Sequence, residues 1–194
     1  YRNEHRWVPV TFRAMVRLCR AKGDFEAAER FAREAVEMSR KATGGGRHQL
    51  ARSLVQLALA LQGTEQHEAA RIAGDEALAI WRDAVEHPNA GENAMGSYAQ
   101  GLLDCGSQDP SAVNAALTFA QKALEMSNGK NQLVLDTLAS AYHLSGNNEK
   151  ALEFQELAVA IRPQDHEYLT RLANYRKLVA QERSESQGAL SKEP

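Results

Sequence analysis

The sequence predicts an all-α fold, an α-solenoid of four helical hairpins followed by a C-terminal capping helix. Four apolar stretches of helical period each contain two alanines seven residues apart. Successive pairs are offset by 42, 46 and 35 residues. Such a period indicates an internal repeat, because a small residue repeated after two turns lets a neighbouring helix approach closely. No segment shows the strict alternation of a half-buried strand. The alanine pairs are Ala28/Ala35, Ala70/Ala77, Ala116/Ala123 and Ala151/Ala158.

The first two hairpins are predicted at about residues 8–41 and 47–87, after a polar lead-in over residues 1–7. Pro9 marks the start of the first helix, and Gly23 followed by Asp24 marks the turn and N-cap that lead into the second. The glycines at 44–46 form a flexible turn, not a phosphate-binding loop, because no strand precedes them. The apolar residues expected to line these helices are Phe12, Met15, Val16, Cys19, Phe31, Leu54, Leu57, Leu61, Ile72 and Ile80.

The third and fourth hairpins are predicted at about residues 91–127 and 131–162. Asp109 and Pro110 have the residue types of an N-cap and a first-turn proline. The dipeptide at 128–129, Asn-Gly, is typical of a left-handed cap at the end of a helix.

A capping helix is predicted over residues 165–183, because its apolar residues occupy one side and many charged residues occupy the other. A solenoid needs such a polar-backed element to end its core. Residues 184–194 have almost nothing to bury and are expected to be disordered.

The composition, 43% hydrophobic and 25% charged, is that of an ordinary globular protein. No apolar run reaches the ~20 residues that a transmembrane helix needs, and no signal peptide is visible. The two cysteines are far apart and form no C-x-x-C pair, so no disulfide framework is indicated and a reducing cytoplasm is expected. The net charge of −2 hides an asymmetry, because residues 1–53 carry 12 Lys/Arg and 6 Asp/Glu while the remainder carries 11 and 19. This uneven distribution of charge would favour a partner of opposite charge at each end of the chain. The alternative explanation is chance clustering on a solvated surface.

The fourth hairpin resembles a tetratricopeptide repeat (TPR) in the spacing of Leu138, Ala139, Tyr142, Gly146, Ala151, Ala158 and Pro163. All four hairpins share this pattern, over about residues 8–163, and the resemblance implies a right-handed solenoid. The stretch at 47–84 and the 42-residue first spacing are similar to the kinesin-light-chain subtype of bacteria. The third and fourth hairpins look more like repeats in large bacterial multidomain proteins, some of which are attached to Ser/Thr kinases.

The resemblance implies that the first helix of each hairpin faces a groove that holds a segment of a protein partner. Arg13, Arg17 and Arg20 form one stripe of the first helix at i, i+4 and i+7. Guanidinium groups favour carboxylate partners, so we expect the basic end to bind an acidic segment. The alternative is a solvated face whose arginines pair with local glutamates. The predicted partner-binding residues are Arg13, Arg17, Arg20, Arg52, Gln56, Leu59, Gln100, Asp136 and His143, with Val55, Gln62 and Ser140 on the same faces.

The sequence predicts no catalytic, cofactor-binding or metal-binding residues. Its six histidines never take a zinc-ligand spacing with cysteine or a carboxylate. Cys19 lies on an apolar stripe and is expected in the core, whereas Cys105 falls in a turn. Trp81 has no counterpart in the other repeats, so it either anchors a partner or is buried between repeats. Nucleic-acid binding is not expected, because the chain is slightly acidic and carries no reader motif.

The predicted function is therefore that of a non-catalytic scaffold or adaptor for protein–protein interaction. If the kinesin-light-chain resemblance extends to function, the partner is a tubulin-like cytoskeletal filament with an acidic surface. The alternative is a regulatory or substrate-docking segment of a larger bacterial enzyme, such as a Ser/Thr kinase.

Overall fold

A computed structural model describes the backbone of residues 4–42, 46–106 and 109–190, and the side chains of these residues except 4–10 and 186–190. This part of the chain forms nine α-helices and no strand, which confirms the predicted all-α class. The helices are α1 Glu4–Ala21, α2 Phe25–Lys41, α3 Arg47–Gly63, α4 His67–Glu86, α5 Glu92–Gly106, α6 Pro110–Met126, α7 Gln132–Leu144, α8 Asn148–Ile161 and α9 His166–Leu190.

The chain divides into two compact units. Unit 1 comprises Tyr1–Ala90 with Asp104–Gly106, and unit 2 comprises Gly91–Leu103 with Ser107–Pro194. In unit 1, α1 packs on α2, α2 on α3 and α3 on α4, and α1 also contacts α3. In unit 2, α6 packs on α7, α7 on α8 and α8 on α9. Each unit is thus built from helices that stack on their neighbours in chain order.

The alanine pairs lie where these helices pack. All eight alanines of the repeat are at most 3% exposed, so the small side chains mark the positions of close helix approach as predicted. Aromatic rings fill the space beside them within single hairpins, and their ring centroids lie 4.9–6.0 Å apart. The ring pairs are Phe12–Phe31, Tyr98–Phe119 and Tyr142–Phe154.

The turns use the predicted capping residues. The Asp24 carboxylate accepts a hydrogen bond from the Ala27 N–H at 3.0 Å, and the Asp109 carboxylate accepts one from the Ser111 N–H at 2.8 Å. Both satisfy backbone donors that have no partner inside the helix. At the end of α6, Asn128 and Gly129 have φ values of 50° and 74°, which confirms the left-handed cap.

Gly63 allows a close approach between α3 and the start of α2. A Cβ atom at this position would lie 2.0 Å from Cδ1 of Phe25, a separation that no pair of non-bonded carbon atoms tolerates. The space that the missing side chain leaves is therefore occupied by the Phe25 ring.

Some boundaries differ from those expected. The backbone of α1 is already helical at Glu4, before the expected start near residue 8, and α9 continues to Leu190 instead of ending at 183. The expectation of disorder is therefore wrong for residues 184–190, because extending an existing helix costs far less than starting one. Residues 1–3, the glycines at 44 and 45, and the tail at 191–194 lie outside the described residues.

Two apolar residues expected on the buried side of their helices are more exposed than the core. Met15 is 37% exposed and Ile72 is 56% exposed. Their neighbours Val16 and Ala73 take the buried positions instead, at 0% and 6% exposure. A shift of one residue rotates a side chain by about 100° around a helix, which moves it off the buried stripe.

Candidate protein-binding site

Arg13, the first residue of the basic stripe, lies beside α3. Arg13 is half-buried, and its Nη1 donates a hydrogen bond to Oε1 of Gln49 on α3 at 2.6 Å. The amide of Gln49 carries no charge, so it does not offset the positive charge of Arg13. The bond fixes Arg13 at the seam between the first helices of two successive hairpins.

Arg52 on α3 lies close to Arg13. Burial lowers the pKa of both guanidinium groups, and the charge of Arg52 lowers that of Arg13 further. Among the described residues, no carboxylate contributes to the pKa of Arg52. Burial and the charge of Arg52 thus both disfavour the charged form of Arg13, and an added anion would offset both effects.

His48 completes this group, which we call the basic cluster: Arg13, His48 and Arg52. The Nδ1 atom of His48 accepts a hydrogen bond from the Trp81 indole N–H at 3.1 Å, and the ring centroids lie 6.1 Å apart. Since Nδ1 accepts, the proton of the neutral ring is on Nε2. Burial lowers the pKa of His48, and the charges of Arg52 and Arg13 lower it further. The imidazole is therefore neutral at neutral pH.

The sequence did not single out His48 as a site residue. It stands four residues before Arg52, so both share one face of α3. That spacing was available in the sequence, whereas the approach of Arg13 becomes evident only when α1 is aligned with α3. Trp81, which is 3% exposed, is buried against His48 and does not project toward a partner.

The remaining arginines of the stripe have different surroundings. Arg17 is exposed, whereas Arg20 is half-buried, and burial lowers its pKa while the charge of Asp104 within unit 1 raises it. On α3, Gln56 and Leu59 are half-buried and continue the face. The basic cluster therefore differs from Arg20, which has a carboxylate nearby.

Val55 does not belong to this face. It is 2% exposed and is part of the hydrophobic core, next to Leu54 in the chain. Of the residues expected on this face of α3, Gln56 and Leu59 are half-buried and Gln62 is exposed.

The prediction that Asp136 lines the groove is wrong. Asp136 on α7 is 3% exposed and forms an ion pair with Arg171 on α9. Burial raises the pKa of Asp136, and the charge of Arg171 opposes that shift. The physical reason is the repeat itself: Arg171 follows Asp136 by 35 residues, one repeat, so the two side chains stand beside each other on adjacent first helices.

Gln100 and His143 are held by contacts inside unit 2. Gln100 Oε1 accepts a hydrogen bond from Thr137 Oγ1 at 2.9 Å. The His143 ring lies 5.3 Å from that of Tyr175, and its Nδ1 is 2.6 Å from Oδ1 of Asn148. His143 also lines a shallow pocket whose other walls include Arg171, Asn174, Tyr175 and Leu178. Both residues remain partially accessible.

Neither thiol has the surroundings of a reactive cysteine. Burial, and then the charges of Asp104 and Asp75, raise the pKa of Cys105 to about 12, so its thiolate is scarcely populated at neutral pH. Cys19 is half-buried beside the apolar stripe of α1. Over the described residues, no group of three or more His, Cys, Asp or Glu side chains is placed to hold a metal ion. Within the same ranges, no helix is long and apolar enough to cross a membrane.

Comparison with known proteins identifies the repeats. Family models described as tetratricopeptide repeat match residues 4–83 and residues 134–165, together more than half of the chain. No curated protein sequence matches the chain.

The solved structures that the chain resembles include repeat proteins of several organisms. A point variant of the nearly identical TPR-like repeats of a Podosopora anserina kinesin light chain has a TM-score of 0.50 at 19% identity, over 97% of this chain and 92% of that one. The form without this change has a TM-score of 0.49 at 20% identity, over 96% and 92%. BtubC (BKLC) from P. vanneervenii has a TM-score of 0.48 at 17% identity, over 94% and 81%. The family matches over residues 4–83 and 134–165 establish the family: the chain belongs to the tetratricopeptide-repeat family.

Proposed function

We propose that this chain is a scaffold or adaptor whose unit 1 binds an acidic segment of a protein partner along Arg13, Arg17, Arg20 and Arg52. Tetratricopeptide repeats serve protein–protein interaction, and that general function follows from the family. The observation that supports the acidic partner is that Arg13 and Arg52 are both half-buried. Burial lowers the pKa of both groups, and the charge of Arg52 lowers the pKa of Arg13 further.

The exposed ion pairs of unit 1 differ from the surroundings of Arg13. On the second helices of its hairpins, two arginines are paired with carboxylates of their own helix: Arg33 with Glu29 at 2.7 Å, and Arg71 with Glu68 at 2.7 Å. Arg13 instead bonds a glutamine, so its charge is not compensated within the described residues. Guanidinium groups in this state favour a carboxylate ligand through charge-assisted, bidentate hydrogen bonds.

Charge reversal on the stripe tests this function. In the double variant Arg13→Glu with Arg17→Glu, affinity for an oligoglutamate peptide is expected to fall at least about tenfold at low salt, because each reversal replaces attraction by repulsion. The variant should also show a shallower dependence of affinity on salt concentration. Fluorescence anisotropy with a labelled peptide measures both quantities.

The matched control is Arg33→Glu with Arg71→Glu, which changes the net charge equally on α2 and α4. Its affinity should stay within about threefold of the original, since general attraction weakens for both variants but the site is intact. Equal loss in the two double variants would show that net charge alone attracts the peptide, and it would refute a site on α1.

We propose further that the acidic partner is a tubulin-like filament. It rests on the similarity of residues 47–84 to the kinesin-light-chain subtype and on the acidic surface that such filaments present to arginines. Co-sedimentation with polymerised bacterial tubulin tests it: we expect the chain in the pellet at low salt and its release at high salt. A chain that stays in the supernatant at low salt would exclude the filament and leave the acidic-segment proposal to the peptide experiment.

A further inference from the structure

We propose that a cleft of unit 2 is a second binding site, which takes an extended stretch of a partner protein where an acidic side chain stands next to a large apolar one. The cleft has a volume of about 480 Å³ and lies where the turn after α6 meets the end of α8 and the first turn of α9. The inference does not rest on the arginine stripe of unit 1. The side chains that carry it all line the cleft: Lys130, Gln132, Leu133, Ile161 and Arg162.

Two cations of the cleft have no carboxylate partner. Lys130 and Arg162 are exposed, and within the described part of the chain neither side chain forms an ion pair or a hydrogen bond. The other three arginines described in unit 2 are each paired with a carboxylate, those of Asp136, Glu156 and Glu149. Arg162 is therefore the exception, and it shares its cleft with a second cation. Charge-assisted hydrogen bonds favour a carboxylate ligand at such a position.

One carboxylate also lines the cleft. Glu92 accepts a hydrogen bond from the Asn131 amide at 3.2 Å, and among the described residues it forms no ion pair with Lys130 or Arg162. The Asn131 side chain is itself held, because its oxygen accepts from two N–H groups in the first turn of α7. The charged side chains of the cleft therefore sum to one positive charge, which a single acidic side chain would neutralise.

Gln132 adds a hydrogen-bond donor that lacks an acceptor. Its Nε2 atom is buried and has no hydrogen-bond partner among the described residues. A buried donor without an acceptor costs free energy, so a carboxylate or carbonyl oxygen that reaches it is favoured. Gln132 is the first residue of α7, so this donor lies at the helix end whose dipole attracts negative charge.

The cleft also exposes two large apolar side chains. Leu133 is 37% exposed and Ile161 is 43% exposed. An apolar side chain of a partner that covers them removes apolar surface from water. The cleft is shallow, so an extended chain can cross it. A segment with an acidic and an apolar side chain in succession therefore matches both the charge and the apolar surface of the cleft.

An NMR titration of the isotope-labelled chain with short peptides tests the site. The peptides are capped at both ends, so that no terminal carboxylate can act as the ligand. A peptide with a central Glu-Leu pair should shift the backbone amide signals of Gln132, Leu133 and Arg162 in a saturable way. Peptides with Gln-Leu or Glu-Gly instead should bind at least about fivefold more weakly, because the first loses the charge-assisted bonds and the second loses the apolar contact.

Two substitutions that remove the same charge locate the site. Arg162→Gln should weaken binding of the Glu-Leu peptide at least about fivefold. Arg183→Gln removes an arginine of α9 that is 68% exposed and paired with Glu149, and it should leave the affinity within about twofold. Both side chains are exposed, so both variants should fold. Equal losses in the two variants would show that net charge alone attracts the peptide, and they would overturn the site.

The remaining outcomes separate this site from the proposed function. The stripe variant, Arg13→Glu with Arg17→Glu, should bind the Glu-Leu peptide at the cleft within about threefold of the original affinity, because independent sites act additively. Cleft signals that do not shift overturn the second site and leave the proposed function to the oligoglutamate experiment. Gln-Leu or Glu-Gly peptides that bind as tightly as Glu-Leu overturn the stated chemistry. Binding of uncapped peptides alone assigns the cleft to a chain terminus and overturns the proposal too.

Discussion

Replacing Arg171 by methionine should destabilise unit 2 by about 3 kcal/mol, because it leaves the buried carboxylate of Asp136 without its ionic partner. The side chain of Asp136 is 4% exposed and that of Arg171 is 34% exposed. Water that reaches the vacated position limits the loss, which places it near the lower end of what such substitutions cost. Urea denaturation followed by circular dichroism measures the change in unfolding free energy.

A second ion pair on the same helix provides the control. Arg176 bonds Glu156 at 2.9 Å, but the side chains are 60% and 50% exposed. Arg176→Met should therefore cost less than about 1 kcal/mol. The account of Asp136 fails if Arg171→Met and Arg176→Met prove equally stable.

The loss in Arg171→Met should also depend on pH. Burial already raises the pKa of Asp136 above its value in the unfolded chain, and Arg171 opposes that shift. Without Arg171 the folded-state pKa rises further, so the carboxyl takes up a proton more readily in the folded state. The deficit is fully present above that pKa and shrinks as pH falls through it. Asp136→Leu combined with Arg171→Met should restore most of the stability, since it removes the unpaired charge.

Replacing Trp81 by alanine should destabilise unit 1 by about 3–5 kcal/mol, the cost of emptying a buried aromatic site. Trp81 is 3% exposed, so almost all of its side chain contributes to packing. Trp81→Phe keeps most of that volume and removes the indole N–H that His48 accepts. It should cost only about 1–2 kcal/mol, and the pKa of His48 should rise because the hydrogen bond to its neutral form is gone.

The two variants of Trp81 separate packing from hydrogen bonding. Chemical denaturation gives the stabilities, and NMR titration of the His48 ring gives the pKa. If Trp81→Phe left that pKa unchanged, the indole hydrogen bond would have no part in keeping the imidazole neutral. If Trp81→Ala cost less than about 1 kcal/mol, the side chain would not be part of the core.

The sequence predicts the framework of this fold well because the framework is local and repetitive. The alanine pairs, the Asp24 and Asp109 caps and the Asn128-Gly129 turn all depend on residues a few positions apart, and all are found as predicted. The close approach of Phe25 to Gly63 was not predictable, since it joins the start of one helix to the end of the next.

The candidate site was predictable only in part, because many of its side-chain hydrogen bonds join residues of successive hairpins. Several side-chain bonds between hairpins join residues about 35 positions apart, such as Arg13–Gln49 at 36 residues and Asp136–Arg171 at 35. A residue on the groove side of one helix therefore has its neighbour one repeat later. Asp136 was misplaced because its own helix was considered without α9, and His48 was missed because Arg13 was not aligned with it. Pairing residues about 35 positions apart would have aligned Arg13 with His48 and Asp136 with Arg171.

The most direct test of the central claim, an acidic segment bound at the basic cluster, is an NMR titration of arginine side chains with oligoglutamate. The Nε–Hε signals of Arg13 and Arg52 can be assigned with Arg13→Lys and Arg52→Lys. The account predicts that these signals shift together and saturate at the dissociation constant found by fluorescence anisotropy, while those of Arg33 and Arg71 stay in place. Saturable shifts at Arg33 or Arg71 with none at Arg13 and Arg52 would contradict it.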